Sequence, residues 1–222
     1  MKLYIVSTPI GNLDDVSLRC LSTLKGVDLI LCEDTRQTLK LLNHYDIHKP
    51  LLSYHAKSGI AKVNEILSML KQGKDLALVS DSGTPGISDP GNKLIEIALK
   101  EIEGLEVIPI PGPSALISAA SISGFPMDKF CFFGFAPKKK RKAFFEKIRE
   151  EENSIILYES PYRIEETLKD LEETGEREIV LCRELTKKFE TIYRGSIKEV
   201  REKLGKDNIK GEFVIVLKRK KD

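Results

Sequence analysis

Short apolar segments alternate with amphipathic segments along the first half of the chain, and this alternation sets the predicted architecture. Five apolar segments have the length and composition of strands, at residues 3–7, 27–32, 51–54, 75–80 and 106–110. A stretch with apolar residues at helical spacing follows each of them, as with Val16, Cys20 and Leu24 after the first. Strands that alternate with helices in this way predict a mostly parallel sheet.

Three of the predicted strands end in loops rich in proline and glycine, at residues 8–12, 82–91 and 111–115. In the longest loop, Gly83 and Gly86 would let a ligand approach the main chain closely, while Pro85 and Pro90 restrict the backbone. Asp89 and Pro90 are predicted as the N-cap and first residue of the next helix. The carboxyl ends of parallel strands meet at one edge, so we expect these loops to face one ligand-binding cleft.

The pattern changes after Gly124, where predicted strands follow one another with fewer helices between them. These strands are expected at residues 130–135, 154–158, 178–183, 189–194 and 212–217. Ser160 and Pro161 are predicted to begin one helix, and Ser196 and Glu199 form a capping-box pattern that begins another. A mixed or antiparallel sheet is therefore expected, in an α/β chain with lobes at 1–123 and 124–222 and a cleft between them.

Composition limits the classes of protein that remain. The chain has 222 residues and a formal net charge of +2, so it can bury a core without disulfides or metal, and no overall charge draws it to a polyanion. Cys20, Cys32, Cys131 and Cys182 are far apart and are predicted to be reduced, mostly buried thiols. The sequence shows no signal-peptide pattern and no apolar run of membrane-spanning length, so a cytoplasmic protein is expected.

One cluster of positive charge departs from this balance. Lys138, Lys139, Lys140, Arg141 and Lys142 follow a phenylalanine-rich predicted strand. Cations release counterions from a phosphate backbone and aromatic rings stack on bases, so this segment is a candidate RNA-binding surface. A run of solvated surface charge is the alternative interpretation.

Several common chemistries are missing from the sequence. Neither a G-x-G spacing nor G-x-x-x-x-G-K-[ST] occurs, which excludes the dinucleotide and P-loop fingerprints. The G-x-S-x-G nucleophile motif is also missing. His44 and His48 stand four residues apart, but no glutamate follows His44 and no cysteine lies nearby. An exposed histidine pair is therefore expected there, with no metal site.

The proline- and glycine-rich loops predict a lining of peptide groups and small hydroxyls with little fixed charge. Such a lining suits a ligand with an amino-acid tail, a ribose and an adenine ring. S-adenosylmethionine has these parts and carries an activated methyl group, so the protein need only align a nucleophile with its sulfonium. S-adenosylmethionine therefore fits the predicted lining.

Seven ordered motifs resemble the tetrapyrrole methylase superfamily, and more narrowly its branch of 16S ribosomal RNA (cytidine-2′-O)-methyltransferases. They are T-P-I-G-N-L-x-D from Thr8, C-E-D-T-R at 32–36, L-V-S-D-S-G-T-P-G-I-S-D-P-G at 78–91, P-G-P-S-A at 111–115, Y-E-S-P-Y-R at 158–163, R-E-L-T-K at 183–187 and G-E-F-V at 211–214. Tetrapyrrole-modifying relatives tend to carry G-D-P where residues 83–85 read G-T-P. This difference favours the RNA branch.

The resemblance implies a two-lobed, class III methyltransferase fold, a homodimer, and S-adenosylmethionine held in the cleft. The implied substrate is 16S rRNA or the 30S subunit, methylated on a cytidine in the decoding region. The implied cofactor-binding residues are Pro9, Gly83, Thr84, Ile87, Ser114, Ala115, Tyr158, Leu185, Gly211 and Glu212. Many ribosomal members continue into a helical extension, whereas this sequence ends at Asp222, so either RNA affinity or reliance on the 30S particle is expected to differ.

A ribose 2′-hydroxyl must lose its proton before it can attack a methyl group efficiently. Glu159 and Asp81 are the first candidate proton acceptors, because both follow predicted strands whose ends should face the cleft. Asp34, Glu184 and Lys187 stand at similar strand ends and remain open as alternatives.

Phosphate contacts within the cleft are predicted for Arg36, Arg163 and Arg183, because a planar guanidinium matches phosphate oxygens. Each candidate carboxylate could instead cap a helix or pair with one of these arginines. Two other functions also stay open. One is C-methylation of a corrin or porphyrin precursor, and the other is RNA binding without catalysis.

Overall fold

A computed structural model describes residues 1–205 and 209–220, and the chain forms two compact units, Met1–Ser114 and Ala115–Asp222. The predicted boundary lay after residue 123. The difference is helix α5 (Ala115–Ser123), which packs on strands of the second unit's sheet. Its apolar residues Leu116 and Ala119 are buried, so the helix belongs to the second unit.

The first unit contains a five-stranded parallel sheet, as the alternating pattern predicts. Its strands are β1 (Lys2–Val6), β2 (Leu29–Cys32), β3 (Leu51–Ser53), β4 (Leu76–Val79) and β5 (Glu106–Ile110). Their order in the sheet is β3-β2-β4-β1-β5, and every pairing is parallel. The helices are α1 (Leu18–Gly26), α2 (Thr35–His44), α3 (Ile60–Lys71) and α4 (Asn92–Glu101).

The helices of the first unit cover both faces of this sheet. Leu24 of α1 and Leu42 of α2 belong to one buried cluster, whereas Ile66 of α3 and Leu94 of α4 belong to the other. The chain therefore leaves β1 toward one face and leaves the neighbouring strand β4 toward the opposite face. Such a reversal is a topological switch point, the place where open α/β sheets bind ligands beyond the carboxyl ends of their strands.

The second unit contains a five-stranded mixed sheet, again as predicted. Its strands are β6 (Phe130–Phe135), β7 (Ser154–Glu159), β8 (Glu178–Arg183), β9 (Thr191–Ser196) and β10 (Phe213–Leu217). Their order is β6-β7-β10-β8-β9, with β6 parallel to β7 and the other pairs antiparallel. Helices α6 (Arg141–Glu150), α7 (Ile164–Glu172) and α8 (Ile197–Leu204) pack into one core with this sheet. The predicted capping box of Ser196 and Glu199 begins α8.

Two predicted helix starts are wrong, and hydrogen bonds explain both. Helix α4 begins at Asn92 rather than Pro90, because the Asn92 side chain donates to the Gly86 carbonyl at 2.9 Å and extends the preceding loop. Helix α7 begins at Ile164 rather than Pro161. There the Ser160 carbonyl accepts from two later amides and closes a turn ahead of the helix.

The four cysteines are free, and three are buried, as predicted. Burial raises the pKa of Cys20 to about 11 and that of Cys182 to about 12, so both thiols are neutral at physiological pH. Within residues 1–205 and 209–220, no helix is long and apolar enough to cross a membrane.

Candidate functional site

The loops after β1 and β4 are bridged at the carboxyl edge of the first sheet. The Thr8 amide donates to the Gly83 carbonyl at 2.9 Å, and the Gly83 amide donates to the Thr8 carbonyl at 3.1 Å. The buried Thr8 hydroxyl also lies 3.3 Å from the Ser80 carbonyl oxygen. Because β1 and β4 flank the switch point, this bridge fixes the main chain where a ligand of this topology binds.

Two hydroxyl groups join the third loop, which follows β5, to the other two. The Thr84 Oγ1 donates to the Pro113 carbonyl at 3.1 Å and lies 2.9 Å from the Ser7 Oγ. A hydroxyl has one proton to give, so Ser7 must be the donor to Thr84. Ser7 was not among the predicted site residues, although its position directly before the Thr8-Pro9 loop is a signal that could have identified it.

Close main-chain packing explains two glycines of this junction. A Cβ atom at Gly112 would lie 2.9 Å from the Ser7 Cβ, closer than real Cβ atoms approach. Gly83 has φ +79°, in the left-handed region, and a Cβ there would lie 3.2 Å from the Ile10 Cγ2. The junction therefore depends on backbone that side chains would push apart.

The structure brings together most of the cofactor residues predicted in the first unit. Gly83 is buried in the Thr8 bridge, and Thr84 is part of the hydroxyl chain to Pro113. Pro9 and Ser114 are the immediate neighbours of Thr8 and Pro113, and both are half-buried. Ile87 lies farther along the β4 loop and is 41% exposed, an exposed apolar side chain beside a polar junction.

Charged residues occupy the neighbouring part of this edge. The Asp34 amide donates to the Asp81 Oδ1 at 3.0 Å, while the Asp34 carboxylate accepts from the Arg36 guanidinium at 2.6 Å. These hydrogen bonds from Arg36 lower the pKa of Asp34 to about 2. Burial, together with the charge of Asp81, raises the pKa of Glu33. Asp34 and Arg36 thus satisfy each other, and Asp81 is an exposed carboxylate at the end of β4.

In the second unit, Tyr158 links β7 to the first turn of α5. Its ring makes edge contacts with Phe132 at 4.9 Å and Phe135 at 5.6 Å between centroids. Its hydroxyl accepts a hydrogen bond from the Leu116 amide at 3.1 Å. The predicted cofactor residues Tyr158 and Ala115, which begins α5, therefore lie close together.

Lys187 joins two carboxylates near the end of β8. Its Nζ lies 2.9 Å from the Glu184 Oε1 and 2.8 Å from the Glu212 Oε2, and the Glu212 amide also donates to the Glu184 Oε1. Burial opposes both charges, yet these hydrogen bonds raise the pKa of Lys187 and lower that of Glu184. A protonated amine and a stabilised carboxylate are poor proton acceptors, so this cluster is structural.

Beside the ion pairs of Lys187, the backbone on both sides of Leu185 adopts a left-handed conformation. The residues on either side, Glu184 and Thr186, have φ +52° and +66°, values that are uncommon outside glycine and concentrate at functional sites. Gly211 has φ +101°, and a Cβ there would overlap the Glu184 side chain. The predicted residues Leu185, Gly211 and Glu212 thus form one tightly packed, conformationally strained junction.

Glu159, predicted as a proton acceptor, has a fully bonded carboxylate and a 0% exposed side chain. Its Oε1 accepts from the Ser160 amide at 2.7 Å and from the Arg163 Nη2 at 2.8 Å. Its Oε2 accepts from the Thr167 hydroxyl at 2.8 Å. A general base must reach the substrate's proton, whereas this carboxylate is enclosed by protein donors. These contacts favour a structural role for Glu159.

All four arginines predicted to contact RNA are bonded to protein groups. Arg163 donates to the Ala136 carbonyl at 2.6 Å besides pairing with Glu159. Arg141 pairs with Asp170 at 2.5 Å, and its side chain is only 15% exposed. Arg183 donates to the Lys210 carbonyl at 2.7 Å. Arg36 is 85% exposed but bound to Asp34.

The lysines of the basic run have a different environment. Lys138, Lys139, Lys140 and Lys142 are all exposed, and within the described part of the chain none of them forms an ion pair. Lys140 is the N-cap of α6 and has φ +60°. We call Pro137–Lys140 the lysine loop, since it presents three of these four charges.

Neither histidines nor carboxylates form a metal site in the part of the chain that the structure describes. His44 and His48 are both exposed. The Asp46 Oδ1 lies 3.6 Å from the His48 Nδ1, at the protein surface.

Comparison with known proteins identifies close relatives over nearly the full length of the chain. Ribosomal RNA small subunit methyltransferase I of Thermotoga maritima is 48% identical over 97% of this chain and 97% of that protein. The protein of the same name from Mycoplasmopsis pulmonis is 51% identical over 97% of this chain and 96% of its own. The one from Bacillus subtilis is 45% identical over 97% of this chain and 74% of its own.

Solved structures share the fold at low sequence identity. The methyltransferase CobJ matches with a TM-score of 0.72 and 19% identity over 98% of this chain and 94% of that chain. Uroporphyrin-III C-methyl transferase from Thermus thermophilus, solved with S-adenyl homocysteine, matches with a TM-score of 0.67 and 16% identity over 98% and 97%. The model of the Tetrapyrrole (Corrin/Porphyrin) Methylases family matches residues 2–201. The chain therefore belongs to the tetrapyrrole methylase family.

Proposed function

We propose that this protein is an S-adenosylmethionine-dependent methyltransferase that acts on 16S rRNA at the 2′-oxygen of a cytidine. The observation that carries the proposal is the match, over 97% of the chain at 45–51% identity, to proteins named ribosomal RNA small subunit methyltransferase I. The 2′-oxygen and the cytidine are our finer proposal, taken from the motif resemblance. The same resemblance leads us to propose a cytoplasmic homodimer that acts on the rRNA or on the 30S subunit.

The loop junction of the first unit fits S-adenosylmethionine in its chemistry. This cofactor supplies a methyl group already activated on a sulfonium. Pro9, Gly83, Thr84, Ile87 and Ser114 would hold it through peptide groups, one hydroxyl and an apolar side chain. Glycine at 83 and 112 lets these loops pack closely, so the junction proposed to meet the cofactor is built mainly from main chain.

Residues of the second unit are proposed to contribute to cofactor binding in the same way. Ala115, Tyr158, Leu185, Gly211 and Glu212 are the residues concerned. The Glu212 amide and carbonyl are both bonded to Glu184, whereas its carboxylate pairs with Lys187 and is 75% exposed, so the carboxylate is the part that a ligand could reach. The strained backbone at Leu185 is consistent with such a role, because strain concentrates at binding sites.

Asp81 is the proposed proton acceptor for the 2′-hydroxyl. Glu159 is enclosed, Asp34 is paired with Arg36, and Glu184 is paired with Lys187. Asp81 is exposed, lies at the end of β4 and belongs to the loop that carries Gly83. It is the candidate whose carboxylate is open to a substrate hydroxyl.

The exposed lysines are the proposed contacts to the RNA backbone. The first turn of α6 has no acidic residue and no side-chain cap, so the partial positive charge of the helix terminus adds to Lys138, Lys139 and Lys140. Arg141 and Arg163 are proposed to hold this surface rather than to bind phosphate.

The proposed reaction is tested with tritiated S-adenosylmethionine and three acceptors: 30S subunits, free 16S rRNA and uroporphyrinogen. We expect label in rRNA, in one or both RNA-containing acceptors, and on ribose after nuclease digestion. Label confined to uroporphyrinogen would instead identify a tetrapyrrole C-methyltransferase. No transfer together with a flat calorimetric titration of the cofactor would leave RNA binding without catalysis.

Thr84→Val is expected to weaken S-adenosylmethionine binding about five- to tenfold, measured by isothermal titration calorimetry. The change keeps the shape of the side chain and removes the hydroxyl that joins the Ser7 and Pro113 loops, a loss of about 1 kcal/mol. Thr84→Ser keeps the hydroxyl and is the matched control, expected to retain affinity. Equal affinities for the two variants would contradict the role of the hydroxyl.

Asp81→Asn is expected to lower kcat for rRNA methylation about 10²- to 10⁴-fold, the usual effect of removing a general base. Cofactor affinity should change little, because Asp81 is assigned to the hydroxyl and not to the cofactor. Asp75→Asn, at the amino end of the same strand, serves as the control. A kcat within threefold of the original protein would remove Asp81 from the mechanism.

Replacing Lys138, Lys139 and Lys140 by alanine is expected to weaken RNA binding and reduce the salt dependence. The slope of log K against log salt should fall by about 0.7 for each lost contact to single-stranded RNA. Calorimetry should give an unchanged cofactor affinity.

The control for this test replaces Lys147, Lys169 and Lys198, which are exposed on helices α6, α7 and α8 of the same unit. It changes the net charge equally. If both triple variants reduce the slope to the same extent, the lysine loop is ordinary surface charge.

A further inference from the structure

The buried carboxylate of Glu159 is connected to both ends of the lysine loop. On one side, Arg163 pairs with Glu159 and donates to the carbonyl of Ala136, the residue just before the loop. On the other side, Thr167 donates to Glu159 and accepts from the Nη2 of Arg141, the residue just after the loop, at 3.1 Å. We call Glu159, Arg163, Thr167 and Arg141 the carboxylate network.

Each hydrogen bond of the carboxylate network has a defined donor and acceptor. The single proton of the Thr167 hydroxyl goes to the Glu159 Oε2, so its oxygen is free to accept from Arg141. Arg141 is held further by Asp170 at 2.5 Å and lies over the Phe145 ring. Ala136 is 2% exposed. Both ends of the lysine loop are therefore anchored in the interior, and only the residues between them reach solvent.

Stability alone is a weak reason for such a network. Burying a carboxylate and a guanidinium costs desolvation energy, which an apolar pair of the same volume would avoid. The loop between the anchors carries three like charges, and Lys140 adopts the left-handed conformation, which is uncommon for lysine. A run of solvated charge needs neither anchored ends nor this backbone.

We propose that Glu159 is a positioning residue for RNA binding: through Arg163 and Thr167 it fixes the lysine loop, so that its charges meet a phosphate backbone in one preformed arrangement. RNA binding would be tighter because the conformational entropy of the lysine loop is lost when the protein folds and not when the RNA binds. This inference rests on the proposed function, because it assumes an RNA substrate. In this proposal Glu159 helps to position the RNA substrate and does not accept a proton from it.

The test replaces Thr167 by valine, which cuts the link to Arg141 and retains all the lysines. We expect the KM for rRNA to rise about five- to twentyfold while kcat at saturating RNA and cofactor affinity stay within twofold. The salt slope should be unchanged, since the same cations can still reach phosphates once ordered. Thr167→Ser restores the hydroxyl and should restore the KM.

A second arm shows whether the effect passes through the lysines. In a protein that already carries alanine at 138, 139 and 140, Thr167→Val should raise KM by less than twofold, because coupled residues are not additive. An equal rise in both backgrounds would overturn the proposal, as would an unchanged KM in the folded single variant. If Thr167→Val does not fold, Arg163→Lys tests the other end of the loop with the same readouts.

The outcomes separate this inference from the function on which it rests. A protein that neither binds nor methylates 16S rRNA or 30S subunits overturns both. A protein that methylates rRNA normally, but whose Thr167→Val variant has an unchanged KM, overturns only the positioning role of Glu159.

Discussion

The contact between the Thr8 and Gly83 backbones is the constraint on which the first unit's site depends. It holds together the loops of two neighbouring strands whose chains leave the sheet toward opposite faces. Ser7 and Thr84 extend the junction to the loop of a third strand. A side chain at position 112 would collide with Ser7 and move one of these loops, so their close packing depends on glycine there.

The second unit fixes its main chain with buried or half-buried ion pairs. Glu184 is placed by Lys187 and by the Glu212 amide, and the same contacts hold the left-handed backbone on both sides of Leu185. Glu159 is placed by Arg163 and Thr167. In both cases an ion pair fixes the main chain around it, which is the specificity that polar networks in the protein interior can provide at a cost in stability.

Sequence predicts this architecture well where local signals agree. The strand Phe130–Phe135 and the strand Glu178–Arg183 have the predicted bounds, because apolar and β-branched runs are local properties. The starts of α4 and α7 were missed, since a side chain six residues away or a turn carbonyl decides them. The proline- and glycine-rich loops also predicted the loop junction, because glycine and proline residues themselves indicate which backbone conformations a loop can adopt.

Side-chain roles were harder to predict, for a physical reason. Glu159 and Asp81 look alike in sequence, each an acid after an apolar strand, and only their partners separate them. The partners of Glu159 include Thr167, eight residues later on a helix, and Arg141 in turn meets Thr167 from an earlier segment. A carboxylate becomes a base or an anchor according to which donors reach it. The sequence identifies the acidic residues, but only their hydrogen-bond partners in the structure distinguish a candidate base from a structural carboxylate.

Charged side chains of this protein fall into two groups: those paired with other protein groups and those exposed to solvent. A sulfonium cofactor needs alignment more than activation, so its site can be built from peptide groups, with few ionised side chains close by. Several charged side chains of this chain are accordingly paired with each other, as Asp34 is with Arg36. Asp81 and the three lysines of the lysine loop are exposed instead. These are the two places where the proposed reaction on RNA would require charge at the surface: one to take a proton and one to hold a polyanion.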